Sequence, residues 1–152
     1  MPGENPAERL SAGDLLQGLP TRLHEVLAPH VAARPDSPAI VEGATTWSYR
    51  TLSDAVEAVA RDLARLGIRA GDRVMLVSEN CAALGAAVFA ASRLDAWPIV
   101  TSPRLSAREV DLIREHSGAR LQVFMAGVSP EAAAQAERCG ARPASLGPFP
   151  GI

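Results

Sequence analysis

The spacing of apolar positions changes period several times along the chain, and each change marks an element. From Thr21, the residues Leu23, Val26, Leu27 and Val31 keep helical spacing. Pro35 ends that pattern at Arg34, because the residue before a proline avoids the α region. Ala39 to Glu42 and Thr45 to Trp47 then flank Gly43-Ala44 with β-branched and aromatic side chains, which predicts a β-hairpin. Ser48 is the expected N-cap of a long helix whose apolar stripe is Leu52, Ala55, Val56, Val59, Leu63 and Leu66, stopped by Gly67. Its other face carries Asp54, Glu57, Arg61, Asp62 and Arg65, a solvated face with a favourable Glu57–Arg61 spacing.

From Val74 onward, short apolar runs alternate with helical patterns. Val74 to Val77 is apolar without alternation, as expected for a strand covered on both faces. Asn80 is the expected cap of a small-residue helix from Cys81 to about Leu94. Trp97 to Thr101 reads as a strand in which Pro98 removes a ladder donor, placing it at a strand start, a bulge or a sheet edge. Ser106-Ala107-Arg108-Glu109 is a capping box ahead of a helix with Val110, Leu112, Ile113 and His116 on its buried stripe and Gly118 as its stop. Leu121 to Met125 is a further strand, and Ser129-Pro130-Glu131 starts a last helix to about Arg138, stopped by Gly140. Residues 141–152, with three prolines and two glycines, hold at most one short strand. The order predicts an α/β fold: a parallel sheet with flanking helices and right-handed crossovers, plus a small N-terminal β-hairpin. Residues 1–20, rich in Pro, Gly and small polar residues, predict a flexible leader, and 21–152 a single folded unit.

Composition narrows the function classes. With 47% hydrophobic and 21% charged residues and a formal charge of −2, the chain matches an ordinary globular protein. Nucleic-acid binding is not expected at that charge. The first 20 residues lack a basic start and an apolar run, and Ala82 to Ala91 is too short for a membrane span, so a cytoplasmic location is expected. Cys81 and Cys139 give neither a CxxC pair nor zinc-ligand spacing and read as buried free thiols.

Candidate chemistry is sparse. In open parallel sheets ligands bind beyond the carboxyl ends of the strands, where the loops read Ser78-Glu79-Asn80, Thr101-Ser102-Pro103-Arg104 and Ala126-Gly127-Val128-Ser129. None has GxGxxG or GxxxxGK[ST] spacing. Arg104 and Arg108 together could hold an anion but read first as solvent-facing residues at a helix start. His24, His30 and His116 are scattered, Ser78 and Ser102 lack a nucleophile elbow, and Glu79 reads as a structural carboxylate beside a cap. Trp47 and Tyr49 are expected to pack the hairpin onto a helix. No catalytic, cofactor-binding or metal-binding residue is assigned.

Three stretches carry a resemblance to the adenylate-forming family that includes acyl-CoA synthetases, luciferases and peptide-synthetase adenylation domains. RPDSPAIVEGATTWSYRTLSDAVEAVARDLARLGIRAGDRVMLVSEN, from Arg34 to Asn80, is similar to the family's hairpin, its Thr-Tyr-x-x-Leu helix start and its Leu-Gly-x-x-x-Gly-Asp-x-Val turn. The small-residue helix running to the strand at Trp97 is the second. PRLSAREVDLIREHSGAR, from Pro103 to Arg120, resembles the family's Asn-Pro-x-Leu-Ser-x-x-Glu segment and its Ser-Gly-Ala turn. Asp95 replaces the usual glycine, Pro98 and Val100 the usual apolar residue and proline, Ser102 an asparagine and Thr51 the capping glutamate.

The resemblance implies the N-terminal part of the acyl-CoA synthetase fold, without the phosphate loop or the small C-terminal domain. It implies a ligase that uses ATP and magnesium to turn a carboxylic acid into an acyl-adenylate, then transfers the acyl group to CoA, with fatty-acid metabolism as the expected setting. ATP, Mg, CoA and the acid are expected of the full-length enzyme and not of this chain, which has no lysine and none of the family's later motifs. The leading expectation is therefore a subdomain that is not catalytic alone. A stand-alone binding or regulatory module of the same fold, in which a homodimer would cover the exposed sheet faces, is the second. A small flavodoxin-like domain with its own ligand is the third.

Overall fold

The computed structural model describes residues 19–152, with Gly13 alone before them. Most of the leader expected at 1–20 lies outside the described residues.

A 3₁₀ turn, Leu23–Leu27, runs into the short helix α1, Ala28–Ala33. The hairpin strands β1, Pro38–Glu42, and β2, Thr45–Ser48, lead into the long helix α2, Tyr49–Arg65. Then come β3, Arg73–Val77; α3, Ala82–Arg93; β4, Trp97–Thr101; α4, Ala107–Ser117; β5, Leu121–Phe124; and α5, Pro130–Arg138. A second hairpin, β6, Ser145–Leu146, and β7, Phe149–Pro150, follows. The central sheet is parallel in the order β4-β3-β5, with Met75 opposite both Ile99 and Gln122.

The middle position of β3 explains its composition. Val74, Met75, Leu76 and Val77 are all fully buried, because alternate side chains feed the two faces of a sheet covered on both. Val74 and Leu76 join Val59 and Leu63 of α2 and the alanines of α3 in the larger core. Met75 and Val77 join Val110 of α4 and Phe124 in the smaller one. Ala86, Ala87, Ala90 and Ala91 have no exposed surface, so α3 lies close against its neighbours as its small side chains allow.

Local signals give the expected caps. The Ser48 hydroxyl accepts the Thr51 N–H at 3.2 Å, and that of Ser129 accepts the Ala132 N–H at 3.2 Å with Pro130 beside it. The box at α4 is reciprocal: Ser106 Oγ accepts from Glu109 N at 3.3 Å and Glu109 Oε2 from Ser106 N at 2.8 Å. These bonds, first that from the Ser106 hydroxyl and then that from its N–H, hold the Glu109 carboxyl below its ordinary value. Asp95 closes α3 in the left-handed region at φ 54.

Several expectations are corrected. The first helix is a 3₁₀ turn plus one and a half turns of α-helix, and of its stripe only Leu27 is fully buried. Leu66 is 57% exposed, at the C-cap just past the last helical residue. Leu112 and His116 are also exposed, since α4 rests on the sheet chiefly through Val110 and Ile113. Residues 141–152 form two paired strands rather than at most one, tied further by reciprocal bonds between Ala144 and Ile152 at 2.8 and 3.1 Å. Asn80 does not cap α3; Cys81 does, its Sγ accepting from Leu84 N at 3.3 Å. Both thiols are free and half-buried rather than buried.

Candidate functional site

The three loops beyond the carboxyl ends of β3, β4 and β5 lie side by side, because the register aligns Val77 with both Thr101 and Phe124. Backbone bonds carry the ladder past the strand ends: Ser78 N–H donates to Thr101 O at 3.1 Å and Met125 N–H to Val77 O at 3.0 Å. The first loop turns sharply, with the Ser78 hydroxyl donating to Glu79 O at 2.6 Å. Ser78 Oγ also lies 3.5 Å from Cys81 Sγ.

Glu79 and Arg104 join the first two loops. Arg104 Nε donates to Glu79 Oε1 at 2.8 Å on the rim, with Arg104 largely in solvent and Glu79 part-buried. Glu79 and Arg104, two of the polar residues the sequence singles out here, are thus each other's partners. Arg108 is exposed and forms no ion pair among the described residues. The Ser102 hydroxyl accepts the Arg104 N–H at 3.3 Å, and Gln135 of α5 supports the same loop by donating to Leu105 O at 3.0 Å. Thr101 is only 2% exposed, and its hydroxyl reaches back toward Ile99 O at 3.4 Å. The third loop is closed by Gly127 N–H donating to Gly151 O at 2.9 Å.

The other singled-out residues lie elsewhere. His24 meets Ser92, with its Nδ1 3.1 Å from the hydroxyl oxygen. His30 stacks at 4.8 Å on Tyr49, over which Arg34 also lies at 5.4 Å. Trp47 packs at 5.2 Å on Phe149 of the second hairpin, and its indole N–H is buried without a partner. Glu57 makes its tight ion pair with Arg93 of α3 at 2.8 Å and only a loose one with Arg61 at 3.9 Å.

Sequence reasoning missed the support of the α3 start. Glu42, at the end of β1, accepts the Ala82 N–H at 3.1 Å from 40 residues away, so the hairpin and Cys81 share the orphan donors there. No local pattern announces such a partner.

The polar groups at the strand ends are paired with one another or with the backbone. The carboxylate and the guanidinium neutralise one another, and the Ser78 and Thr101 hydroxyls are turned to backbone carbonyls. No group of three or more acidic, His or Cys side chains is placed for a metal among the described residues. No helix among the described residues is long and apolar enough to cross a membrane.

Comparison with known proteins accounts for this architecture. The sequence profile of the AMP-binding enzyme family matches residues 27–146. Rice (Oryza sativa subsp. japonica) 4-coumarate--CoA ligase 2 is 34% identical over 101 residues, 65% of this chain and 18% of that protein. The 2,3-dihydroxybenzoate-AMP ligase of Bacillus subtilis (strain 168) is 32% identical over 100 residues, 66% of this chain and 19% of that protein. An inhibitor-bound crystal structure of the N-terminal domain of FACL13 from Mycobacterium tuberculosis shares the fold, with a TM-score of 0.71 at 24% identity over 84% of this chain and 31% of that one. The chain thus spans about a fifth of the length of these two curated relatives. Its hairpin, long helix and parallel β4-β3-β5 sheet all lie within the matched residues, and the chain belongs to the AMP-binding enzyme family.

Proposed function

We propose that this chain is the N-terminal subdomain of an ATP-dependent acid–CoA ligase, forming one wall of that enzyme and supplying none of its reacting groups. The whole enzyme would join a carboxylic acid to AMP with release of pyrophosphate, then form the thioester with CoA. The observation that carries the reading is the pairing of a family match over residues 27–146 with strand-end loops whose polar groups are spent on one another. Relatives named for aromatic acids widen the expected substrate from fatty acids to carboxylic acids generally.

ATP, magnesium and CoA would be held by residues of the full-length enzyme outside this sequence. Within the chain, Glu79–Arg104 and the Gln135 bonds would fix the loop after β4 at the edge of that site. The test is ATP–pyrophosphate exchange with a panel of aliphatic and aromatic acids. The purified 152-residue chain is expected to show none. Exchange above background by this chain alone would overturn the scaffold reading, and saturable binding of a nucleotide or flavin to it would favour a self-sufficient module.

A further inference from the structure

Among the described residues β4 is an edge strand, and its bonds show which way its peptide groups point. Trp97 N–H donates to Asp72 O at 2.8 Å and Thr101 O accepts from Ser78 N at 3.1 Å, so Trp97, Ile99 and Thr101 address β3. Alternation along a strand then turns the peptide groups of Pro98 and Val100 to the open side. Pro98 has no N–H, and its ring fills the space in which a donor would meet an incoming carbonyl. The Ala96 N–H, just before the strand, is turned back to Ala91 O at 2.9 Å. Within β4 the outward donor is that of Val100 alone.

The edge is otherwise an inviting one. Trp97 is 67% exposed and Val100 55%, and a parallel strand with apolar side chains and free carbonyls is a template for pairing. We propose that Pro98 guards this edge, weakening addition of a further strand from a second copy of the chain. The obstruction is positional: it depends on a missing donor at an outward-facing peptide, so the same imino acid at position 99 would instead break the ladder to β3.

The test compares self-association of the wild-type chain, Pro98→Val and Pro98→Ala by sedimentation over a concentration series, with circular dichroism confirming the fold. Restoring the donor is expected to tighten association about fivefold or more, the worth of one net backbone hydrogen bond, with a rise in intermolecular β signal in the amide I band. The double variant P98V/V100P moves the missing donor to the other outward peptide and is expected to return to wild-type behaviour. P98A carries the comparison if P98V does not fold, since it adds the donor without β-branching. Folded single variants that associate no more than wild type would overturn the proposal, as would a double variant that associates as strongly as P98V. Neither outcome bears on the exchange assay above, so the two readings fail separately.

Discussion

The Arg22 guanidinium meets the Asp95 carboxylate at 2.6 Å, joining the start of the described chain to the residue that ends α3 in a left-handed conformation. Asp95 also accepts the Gly71 N–H at its carbonyl at 2.9 Å, so the turn is shared with the loop before β3. The same residue therefore carries a backbone cost and an ionic gain.

Magnitudes decide the balance. A non-glycine residue in the left-handed region costs about 1 kcal/mol, while a half-exposed ion pair contributes about 0–1 kcal/mol. Asp95→Gly is expected to leave the thermal midpoint unchanged or raised, and Asp95→Ala, which keeps the strain and loses the pair, to lower it. Thermal unfolding of both variants at low and high salt checks this, since the ionic part shrinks with screening.

Gly147 sets a steric limit on the second hairpin. Its φ is +57, its N–H donates to Asp62 Oδ2 at 2.8 Å, and a Cβ there would lie 2.9 Å from Val59 Cγ2 and 3.1 Å from Val59 N. Because Val59 is itself fully buried, neither side can yield cheaply. Gly147→Ala is expected to destabilise by about 1–3 kcal/mol in urea unfolding.

Glu109 makes the α4 start pH-sensitive. Its folded value is depressed by the Ser106 hydroxyl and N–H, so its stabilising effect is complete above the ordinary glutamate range and is lost as pH falls through the lowered folded value. Glu109→Gln is expected to flatten the acid limb of the stability–pH curve while preserving stability near neutral pH better than Glu109→Ala, since an amide oxygen can still accept the Ser106 N–H.

Leu63 anchors α2 over the sheet with no exposed surface. Leu63→Ala is expected to cost about 2–5 kcal/mol, whereas Arg104→Ala, which removes a rim ion pair, should cost less than about 1 kcal/mol. Denaturant midpoints of the two variants separate core from rim.

What the sequence conveyed well was local. Ser48, Ser106, Ser129 and Gly118 act within one turn of their own helix, and each occupies its expected place. Even Pro98 could be confined to a strand start, a bulge or an edge from its missing donor, although the strand order that makes β4 an edge among the described residues comes from packing. The misses were non-local. Asn80 has the better capping side chain, but Cys81 occupies the position because Glu42 of the hairpin takes the neighbouring N–H. Leu66 and Leu112 fit their stripes by period, yet both are exposed. The β6–β7 hairpin is two residues a strand and rests on Asp62 and Val59, which no pattern within 141–152 could reveal. At the strand ends the loops could be named, but not that Glu79 and Arg104 neutralise one another across them.

The sheet divides the interior unequally: Met75, Val77, Val110 and Phe124 form the buried apolar cluster of one side, while the α2–α3 side holds most of the buried aliphatic mass. Amide hydrogen exchange should follow that asymmetry, with α4 and α5 opening to deuterium ahead of β3 and α3. Breathing would thus begin on the thinner flank, and the strand-end loops would loosen first where they lean on Gln135 and α5.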